Sequence, residues 1–160
     1  MGVNYLSNIL ILGSTGMLGK MVSLVFSKYS DGNLFFTSRS KNKFNNELNG
    51  EKIIFNPNND NFDDLCEKIN PNFVINCIGA IKPTITEKKE SINNAISINS
   101  FFPLKISKKS ADLSFNYIQI GTDCVFSGLE GGYIETSTTN ATDVYGLSLI
   151  HISEPTRLIG

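Results

Sequence analysis

The residues from Gly13 to Gly19 have the types and spacing of a loop that binds phosphate. The chain reads G-S-T-G-M-L-G there, directly after an apolar run at residues 9–12. Gly13 would allow a tight turn, Gly16 would let the backbone approach a pyrophosphate, and Gly19 would let a helix pack closely on a strand. A helix that starts here also offers free N–H groups and a positive dipole end to an anion. The residues of this predicted cofactor site, the glycine loop, are Gly13, Ser14, Thr15, Gly16, Met17, Leu18 and Gly19.

The alternative for this loop is a glycine-rich turn in an ordinary α/β protein. The placement between an apolar run and a helical stripe favours the cofactor site.

The residues after the second apolar run bear on the choice of cofactor. In dinucleotide-binding folds, a carboxylate at the end of the second strand commonly binds the 2′-hydroxyl of the adenosine ribose. Here the chain reads Thr37-Ser38-Arg39, with a hydroxyl and a guanidinium and no carboxylate. Since arginine pairs well with phosphate, Ser38 and Arg39 predict NADPH, with NADH as the alternative. A solvated Arg39 on a loop is the other interpretation.

Four later segments carry a family resemblance. They are residues 74–79 (VINCIG), 97–103 (SINSFFP), 121–128 (GTDCVFSG), and 132–135 (GYIE) leading to 143–146 (DVYG). Together with the glycine loop, they resemble the extended short-chain dehydrogenase/reductases, specifically the dTDP-4-dehydrorhamnose reductase group of sugar-nucleotide reductases. The resemblance covers roughly residues 8 to 146, and its most specific part is the T-D-x-V-F-x-G segment.

The resemblance implies a reaction and gives roles to single residues. It implies NADPH-dependent reduction of a 4-keto sugar nucleotide, in which negative charge develops on the ketone oxygen and needs a proton donor and a hydrogen bond. Tyr145 matches the catalytic tyrosine, which donates the proton and also contacts the cofactor. Thr122 matches the Ser/Thr position whose hydroxyl polarises the ketone, and Asp123 supports it.

The resemblance also implies four further cofactor residues. Cys77, Ile78 and Gly79 would line the cofactor groove, and Asn99 would hold its helix and a proton-relay water near the site. Structural alternatives stay open, because Asn99 could instead bond the backbone, Thr122 could end a strand, and Cys77 could fill apolar space.

Apolar runs alternate with helical stripes along the chain, which predicts a doubly wound parallel α/β sheet of the Rossmann type. The predicted strands cover residues 8–12, 34–37, 53–55, 73–76 and 117–120. The predicted helices are a stripe formed by Met17, Leu18, Met21, Val22, Val25 and Phe26, then residues 62–69, and a long stretch from about 92 to 109. Pro103 should kink or split that stretch. Residues 40–51 indicate a surface excursion.

The end of the chain departs from the family pattern. The family reads Y-x-x-x-K, and its lysine bonds the nicotinamide ribose, whereas Leu149 stands at that position here. Residues 147–157 resemble the in-frame translation of a sequencing-library adapter, and Pro155 would break the helix that Tyr145 should open. We therefore expect an NAD(P)-binding domain over residues 1–146 and a non-native tail over 147–160.

On this interpretation the chain is an N-terminal fragment that lacks the last strands and the substrate-binding lobe. The fragment should be nearly inactive, and the strand at 117–120 should be an exposed sheet edge.

The composition sets the remaining expectations. A length of 160 residues, 41% of them hydrophobic and 18% charged, fits one globular domain. Fourteen Lys and Arg against 15 Asp and Glu give a net charge of −1, which argues against a nucleic-acid partner. Three separated cysteines and the single His151 suggest no disulfide framework and no metal site. We expect a cytoplasmic protein, without a membrane segment, whose partner is a sugar nucleotide and whose full-length parent could form a homodimer.

Two other functions stay open. One is a sugar-nucleotide epimerase or dehydratase of the same superfamily, against which the Thr122-Asp123 motif argues. The other is a non-catalytic, NAD(P)-binding regulatory subunit, which a native Leu149 would favour.

Overall fold

Five parallel strands form one sheet in the computed structural model, which describes residues 6–153. The strands are β1 (Asn8–Leu12), β2 (Asn33–Ser38), β3 (Glu51–Ile54), β4 (Phe73–Asn76) and β5 (Asn116–Gln119). Their order across the sheet is β3-β2-β1-β4-β5, and each neighbouring pair is parallel. Since parallel neighbours need crossover connections, this order confirms the predicted doubly wound sheet.

The strands of the sheet are connected through helices and loops. The α-helices of the described chain are α1 (Met17–Tyr29), α2 (Phe62–Ile69), α3 (Lys89–Ile96), α4 (Phe102–Leu113) and α5 (Val144–Ser153). The long stretch predicted around residues 92–109 is α3, a π-helical turn at Ser97–Phe101, and α4. Pro103 lies in the first turn of α4, where its missing N–H costs little, and the change in helical geometry directly precedes it. The stretch stays helical without interruption, so Pro103 does not split it, and the predicted kink stays a prediction.

The chain divides into two compact units. Unit 1 contains the described residues up to Ile78 together with Lys105–Ile120, and unit 2 contains Gly79–Leu104 and the described residues from Gly121 onward. Unit 1 carries the sheet and the glycine loop, and unit 2 carries α3, the π-helical turn and α5. The predicted boundary at residue 146 stays a prediction, and residues 154–160, with Pro155, lie outside the described residues.

The core of unit 1 forms on both faces of β1. Ile9 and Ile11 join a cluster on one face, while Leu10 and Leu12 are fully buried on the other, which explains why β1 is a continuous apolar run. The prediction that residues 40–51 form a surface excursion is wrong in part, because Leu48 in this segment is buried in the same cluster. An apolar side chain on the loop after β2 covers sheet surface that would otherwise face water.

Helix α1 packs through a different face from the one its apolar pattern predicts. Val22 and Phe26 contact the core cluster as predicted, but Met17 is 92% exposed. The remaining predicted contacts, at Leu18, Met21 and Val25, are also exposed. The helix instead buries its small residues Gly19 and Ser23. Small side chains let α1 approach the sheet closely, and this contact turns the methionines toward solvent.

Strand β5 is an edge of the sheet, which confirms the predicted exposed edge. Its outward side chain Ile118 is 45% exposed, and the strand begins at Asn116, one residue before the predicted start. None of the described helices is both long and apolar enough to cross a bilayer.

Candidate functional site

The glycine loop joins β1 to α1 and depends on close backbone contacts in unit 1. Gly13 has a φ of +75°, and a Cβ there would lie 2.8 Å from the Ile78 side chain. A Cβ on Gly19 would lie 2.1 Å from the Gly13 carbonyl oxygen. At Gly16, by contrast, a Cβ would make only an ordinary contact of 3.5 Å. The loop therefore needs Gly13 and Gly19 for its own packing, whereas the absent side chain at Gly16 leaves room on the exposed surface.

Hydroxyl groups attach the glycine loop to the end of β2. The Gly13 N–H donates to Thr37 Oγ1 at 3.0 Å. The Ser14 N–H and the Ser14 hydroxyl both donate to the Thr37 carbonyl oxygen, each at 2.9 Å. Thr37 is fully buried, and this anchoring role was missed by the sequence analysis. A threonine next to the last residue of a buried strand is the signal that could have identified it.

The first turn of α1 fits a bound pyrophosphate. Gly16 caps the helix without a side-chain hydrogen bond, and the first turn contains no acidic residue. The N–H groups that begin a helix lack intrahelical acceptors, and the helix dipole adds partial positive charge there. Since Gly16 also has no side chain to block an approach, the loop has the donors, the charge and the space that a diphosphate requires.

Ser38 and Arg39 have different surroundings at the end of β2. The Ser38 hydroxyl is buried and donates to the Ser40 carbonyl oxygen at 3.1 Å, accepts from the Ser40 N–H at 3.2 Å, and lies 3.1 Å from Thr15 Oγ1. Arg39 is exposed. Ser38 thus contributes to the structure of the loop, and the predicted contact of both residues with a 2′-phosphate stays a prediction.

A cavity of about 460 Å³ lies beside the glycine loop, and we call it the loop cavity. Its lining residues are Ser14, Thr15, Lys20, Lys43, Asn45 and Glu47. Two lysines and one carboxylate therefore line a cavity that also contacts the predicted phosphate loop.

The segment after β4 lies against the glycine loop within unit 1. The Cys77 N–H donates to the Leu12 carbonyl oxygen at 3.0 Å, and Ile78 covers Gly13. Burial raises the pKa of the Cys77 thiol to about 11, so the thiol stays protonated at neutral pH and acts as an apolar filler. Asn76, which the sequence analysis did not single out, is fully buried and accepts from the Ile78 N–H at 3.1 Å. Asn76 thereby fixes the path of this segment.

In unit 2, Thr122 begins a single 3-10 turn at Asp123–Val125. Its hydroxyl oxygen accepts from the Cys124 N–H at 3.2 Å, and the hydroxyl donates to Asp123 Oδ1 at 3.5 Å. Thr122 is half-buried and Asp123 is exposed. The bond to Asp123 is at the limit of hydrogen-bond length, so the Thr122 proton can turn toward a better acceptor.

Tyr145 is the second residue of α5, which confirms the prediction that it opens a helix. The side chain is half-buried and packs against Val125 and Leu149, within the contact of α5 with the 3-10 turn. Leu149, at the family's lysine position, is 7% exposed. An apolar contact thus takes the place of an ammonium group on this helix.

An ion pair that the sequence analysis missed lies beside Tyr145. Lys82 Nζ lies 2.7 Å from Asp143 Oδ2, and Asp143 Oδ1 accepts the Gly146 N–H at 2.9 Å. The hydrogen bond from Lys82 lowers the pKa of Asp143, and the same bond raises the pKa of Lys82. Both residues line a cavity of about 270 Å³ together with Tyr145, and we call it the tyrosine cavity. Its apolar wall is formed by Ile85, Ile92 and Val144.

Asn99 connects two segments of unit 2 from the π-helical turn. The side chain is 3% exposed. Its Oδ1 accepts from the Ala80 N–H at 2.8 Å, and its Nδ2 donates to the Ala80 carbonyl oxygen at 2.9 Å and to Ser148 Oγ at 3.0 Å. Every hydrogen-bonding group of the amide thus has a protein partner. This geometry fixes the backbone next to the exposed Gly79, and the cofactor contacts of Asn99 and Gly79 stay predictions.

The predicted residues therefore form two groups. Unit 1 contains the glycine loop, Ser38, Arg39, Cys77 and Ile78, and unit 2 contains Gly79, Asn99, Thr122, Asp123 and Tyr145. Within residues 6–153, no three His, Cys, Asp or Glu side chains are grouped so that they could hold a metal ion.

Comparison with known proteins gives one family match. The model of a family described as the RmlD substrate binding domain matches residues 7–155. A search of curated protein sequences finds no significant match.

Solved structures resemble the fold of this chain at low sequence identity. A hypothetical dTDP-4-dehydrorhamnose reductase from Sulfolobus tokodaii has a TM-score of 0.72 at 23% identity, over 89% of this chain and 49% of that one. The ADP-L-glycero-D-manno-heptose-6-epimerase of Helicobacter pylori has a TM-score of 0.78 at 17% identity, over 92% of this chain and 49% of that one. The dTDP-4-dehydrorhamnose reductase of Bacillus anthracis, solved with NADP, has a TM-score of 0.65 at 20% identity, over 96% of this chain and 49% of that one. The chain spans about half the length of these proteins.

Proposed function

The chain belongs to the RmlD substrate binding domain family, and from this premise we propose that its protein is an NADPH-dependent reductase of a 4-keto sugar nucleotide. The substrate we propose is of the dTDP-4-dehydrorhamnose type, reduced in the cytoplasm during synthesis of a deoxysugar for a cell-surface polysaccharide. The observation that carries the proposal is the glycine loop, whose open helix terminus and bare Gly16 fit a diphosphate.

The glycine loop would hold the cofactor through its pyrophosphate. The N–H groups at Met17 and Leu18 begin α1 and would donate to phosphate oxygens. Thr37 keeps the loop in shape, because its hydroxyl and carbonyl oxygens accept three hydrogen bonds from Gly13 and Ser14. When bound, the nicotinamide supplies a hydride.

The side chains of unit 2 would neutralise and stabilise the negative charge that develops on the ketone oxygen. Tyr145 would donate its phenolic proton to that oxygen, which is the role of a general acid. Thr122 would turn its hydroxyl from the long bond to Asp123 toward the same oxygen and stabilise the negative charge. Lys82 and Asp143 form an ion pair at the cavity that Tyr145 lines, so the Lys82 charge there is balanced by the Asp143 carboxylate.

Leu149 leads us to propose that this chain itself has little reductase activity. A buried leucine cannot supply the hydrogen bond or the charge of the family's lysine. The same observation favours a second candidate function, a nucleotide-binding subunit without catalysis. Reading the source gene across codon 146 separates the two, because a lysine codon at position 149 supports the reductase and a leucine codon supports the binding subunit.

The nucleotide site can be tested on this chain by titration with NADPH. Binding should enhance the NADPH fluorescence and give a saturating curve in calorimetry. Gly16→Ala is the informative variant, because its Cβ makes only an ordinary contact within the protein yet occupies the space we propose for the pyrophosphate. We expect the variant to keep its circular dichroism spectrum and to bind NADPH at least about tenfold more weakly. Equal binding by the two proteins would refute the pyrophosphate site.

A further inference from the structure

The helix that carries Tyr145 begins with a cap that Asp143 supplies. Helix α5 starts at Val144, and the Asp143 carbonyl oxygen accepts the Leu147 N–H at 3.0 Å. Asp143 Oδ1 accepts the Gly146 N–H at 2.9 Å, which is the bond that a side chain makes at the N-cap of a helix. The negative carboxylate also faces the positive end of the helix dipole. One side chain therefore holds the first turn, in which Tyr145 is the second residue.

The other carboxylate oxygen of Asp143 binds a lysine from the segment between β4 and α3. Lys82 Nζ lies 2.7 Å from Asp143 Oδ2, and Lys82 begins a short 3-10 helix, Lys82–Thr84. Two residues before Lys82, the N–H and the carbonyl oxygen of Ala80 both bond to the buried amide of Asn99. The lysine thus extends from a segment that is itself anchored, so it can hold the cap in one orientation.

The first turn of α5 also lies directly on the 3-10 turn that Thr122 begins. A Cβ on Gly146 would lie 2.3 Å from the Cys124 carbonyl oxygen and 2.4 Å from Ala141 Cβ, so the close approach needs a glycine. Tyr145 precedes this glycine, and Thr122 caps the turn that contains Cys124. The placement of the first turn therefore sets where Tyr145 lies relative to Thr122, and these are the two residues proposed to act on the ketone oxygen.

We propose that Lys82 and Asp143 are positioning residues for Tyr145, because together they fix the first turn of α5. This inference rests on the proposed reductase function and deepens it. The charges of the ion pair balance, so the pair acts on Tyr145 through the geometry of the helix and not through an added charge. All three residues line the tyrosine cavity, and a displaced first turn would also change the shape of that cavity.

Three variants separate the cap from the ion pair. Asp143→Ala removes both, Asp143→Asn keeps an oxygen for the cap but loses the ion pair, and Lys82→Gln loses the ion pair alone. An exposed ion pair contributes less free energy than an N-cap. We expect the Gly146 N–H to exchange with solvent about twofold to fivefold faster in Lys82→Gln and Asp143→Asn, and about tenfold faster in Asp143→Ala.

Fluorine NMR of the chain labelled with 3-fluorotyrosine reports on Tyr145 itself. A spectrum of Tyr145→Phe identifies the resonance, and Tyr117, in β5 of unit 1, is the internal reference. We expect the Tyr145 resonance to move in Lys82→Gln and to move further in Asp143→Ala, while the Tyr117 resonance stays in place. Lys82→Arg should restore the wild-type position, because a guanidinium can make the same bond to Asp143. Lys88→Gln is the matched control, since it removes the same charge from the same segment without touching the tyrosine cavity, and it should leave the resonance unmoved.

The direction of the shifts separates geometry from charge. Lys82→Gln and Asp143→Asn both break the ion pair, so they should move the Tyr145 resonance in the same direction. A direct effect of the missing charges would move it in opposite directions and would overturn the inference. An unmoved resonance in folded Lys82→Gln and Asp143→Asn, with only the stability lowered, would overturn it as well, because the two residues would then be merely structural.

NADPH titration of the wild-type chain tests the proposed function separately. Absence of NADPH binding would refute the nucleotide site, whereas the Tyr145 resonance decides this inference whether or not NADPH binds. Circular dichroism spectra establish which variants are folded. If Asp143→Ala does not fold, the two milder variants still give the answer.

Discussion

The glycine loop and the residues around Tyr145 achieve their geometry by different means. The glycine loop is held by backbone groups, a buried threonine hydroxyl and two positions at which only glycine fits. The region around Tyr145 relies on an exposed ion pair and on hydroxyl groups that keep access to solvent. A loop that binds an invariant diphosphate gains from rigidity, whereas side chains that move a proton must stay available to reorient. The same kind of substitution should therefore cost stability in the first region and function in the second.

Gly19→Ala should show the largest effect and tests the rigidity of the glycine loop. The added Cβ would lie 2.1 Å from the Gly13 carbonyl oxygen and 3.2 Å from Ser14 Cα, and because these atoms belong to the backbone, little relaxation is available. We expect a loss of about 3 kcal/mol in the free energy of unfolding, measured by urea denaturation. Gly16→Ala is the control in the same loop and should cost less than about 1 kcal/mol. Similar losses at the two glycines would contradict the packing argument.

A threonine-to-valine substitution in each region compares how much stability the glycine loop and the region around Tyr145 lose when a hydroxyl group is removed. Thr37→Val keeps the shape of a fully buried side chain but leaves the Gly13 N–H without its acceptor, which should cost about 1–3 kcal/mol. Thr122→Val removes only the cap of a single half-exposed turn and should cost less than about 1 kcal/mol. Both values come from denaturation curves.

NADPH titration of the same two variants extends the comparison. Thr37→Val should weaken NADPH binding, because the glycine loop loses an anchor, whereas Thr122→Val leaves the glycine loop intact and should keep the wild-type affinity for NADPH. A result in which Thr122→Val is the more destabilising variant would reverse the contrast between the regions.

The ion pair near Tyr145 predicts a change in titration. The hydrogen bond from Lys82 holds the pKa of Asp143 below its ordinary value of 3.8, so Lys82→Met should raise that pKa back toward 3.8. The stabilisation from Asp143 is present above its ordinary pKa and is lost as the pH falls through the lowered value. Carbon-13 NMR of the carboxyl group measures the shift. Lys88→Met removes an exposed charge outside the tyrosine cavity and should leave the titration unchanged.

The sequence predicts most of the fold because the relevant signals are local. Helix α2 begins and ends as predicted, since Asn61 caps its start and Asn70 adopts a left-handed conformation at its end. The glycine loop is equally local, because its chemistry depends on backbone and spacing. The face of α1 was predicted wrongly because hydrophobicity does not reveal that Gly19 must approach the loop so closely.

The residues that the sequence did not reveal act over long separations. Lys82 and Asp143 are 61 positions apart, and neither belongs to a motif that would pair them. Asn99 and Ser148 are 49 positions apart and meet only through the tertiary structure. Such contacts depend on how α5 packs in unit 2, which no spacing rule provides. Motifs therefore located the candidate chemistry, and the structure was needed to identify the side chains that support it.

The smallest expected effect is a difference in thiol reactivity. It reports on the contrast between the rigid glycine loop and the more accessible region around Tyr145. Burial raises the pKa of Cys77, beside the glycine loop, and that of Cys66, in α2, to about 11. At pH 8 about one in a thousand of these thiols would be ionised, while Cys124 in unit 2 is exposed. A chromogenic disulfide reagent should therefore label one thiol quickly, and Cys124→Ser should abolish that phase. Fast labelling of Cys77 would mean that the segment covering Gly13 opens in solution, and the glycine loop would then lack the rigidity on which the comparison depends.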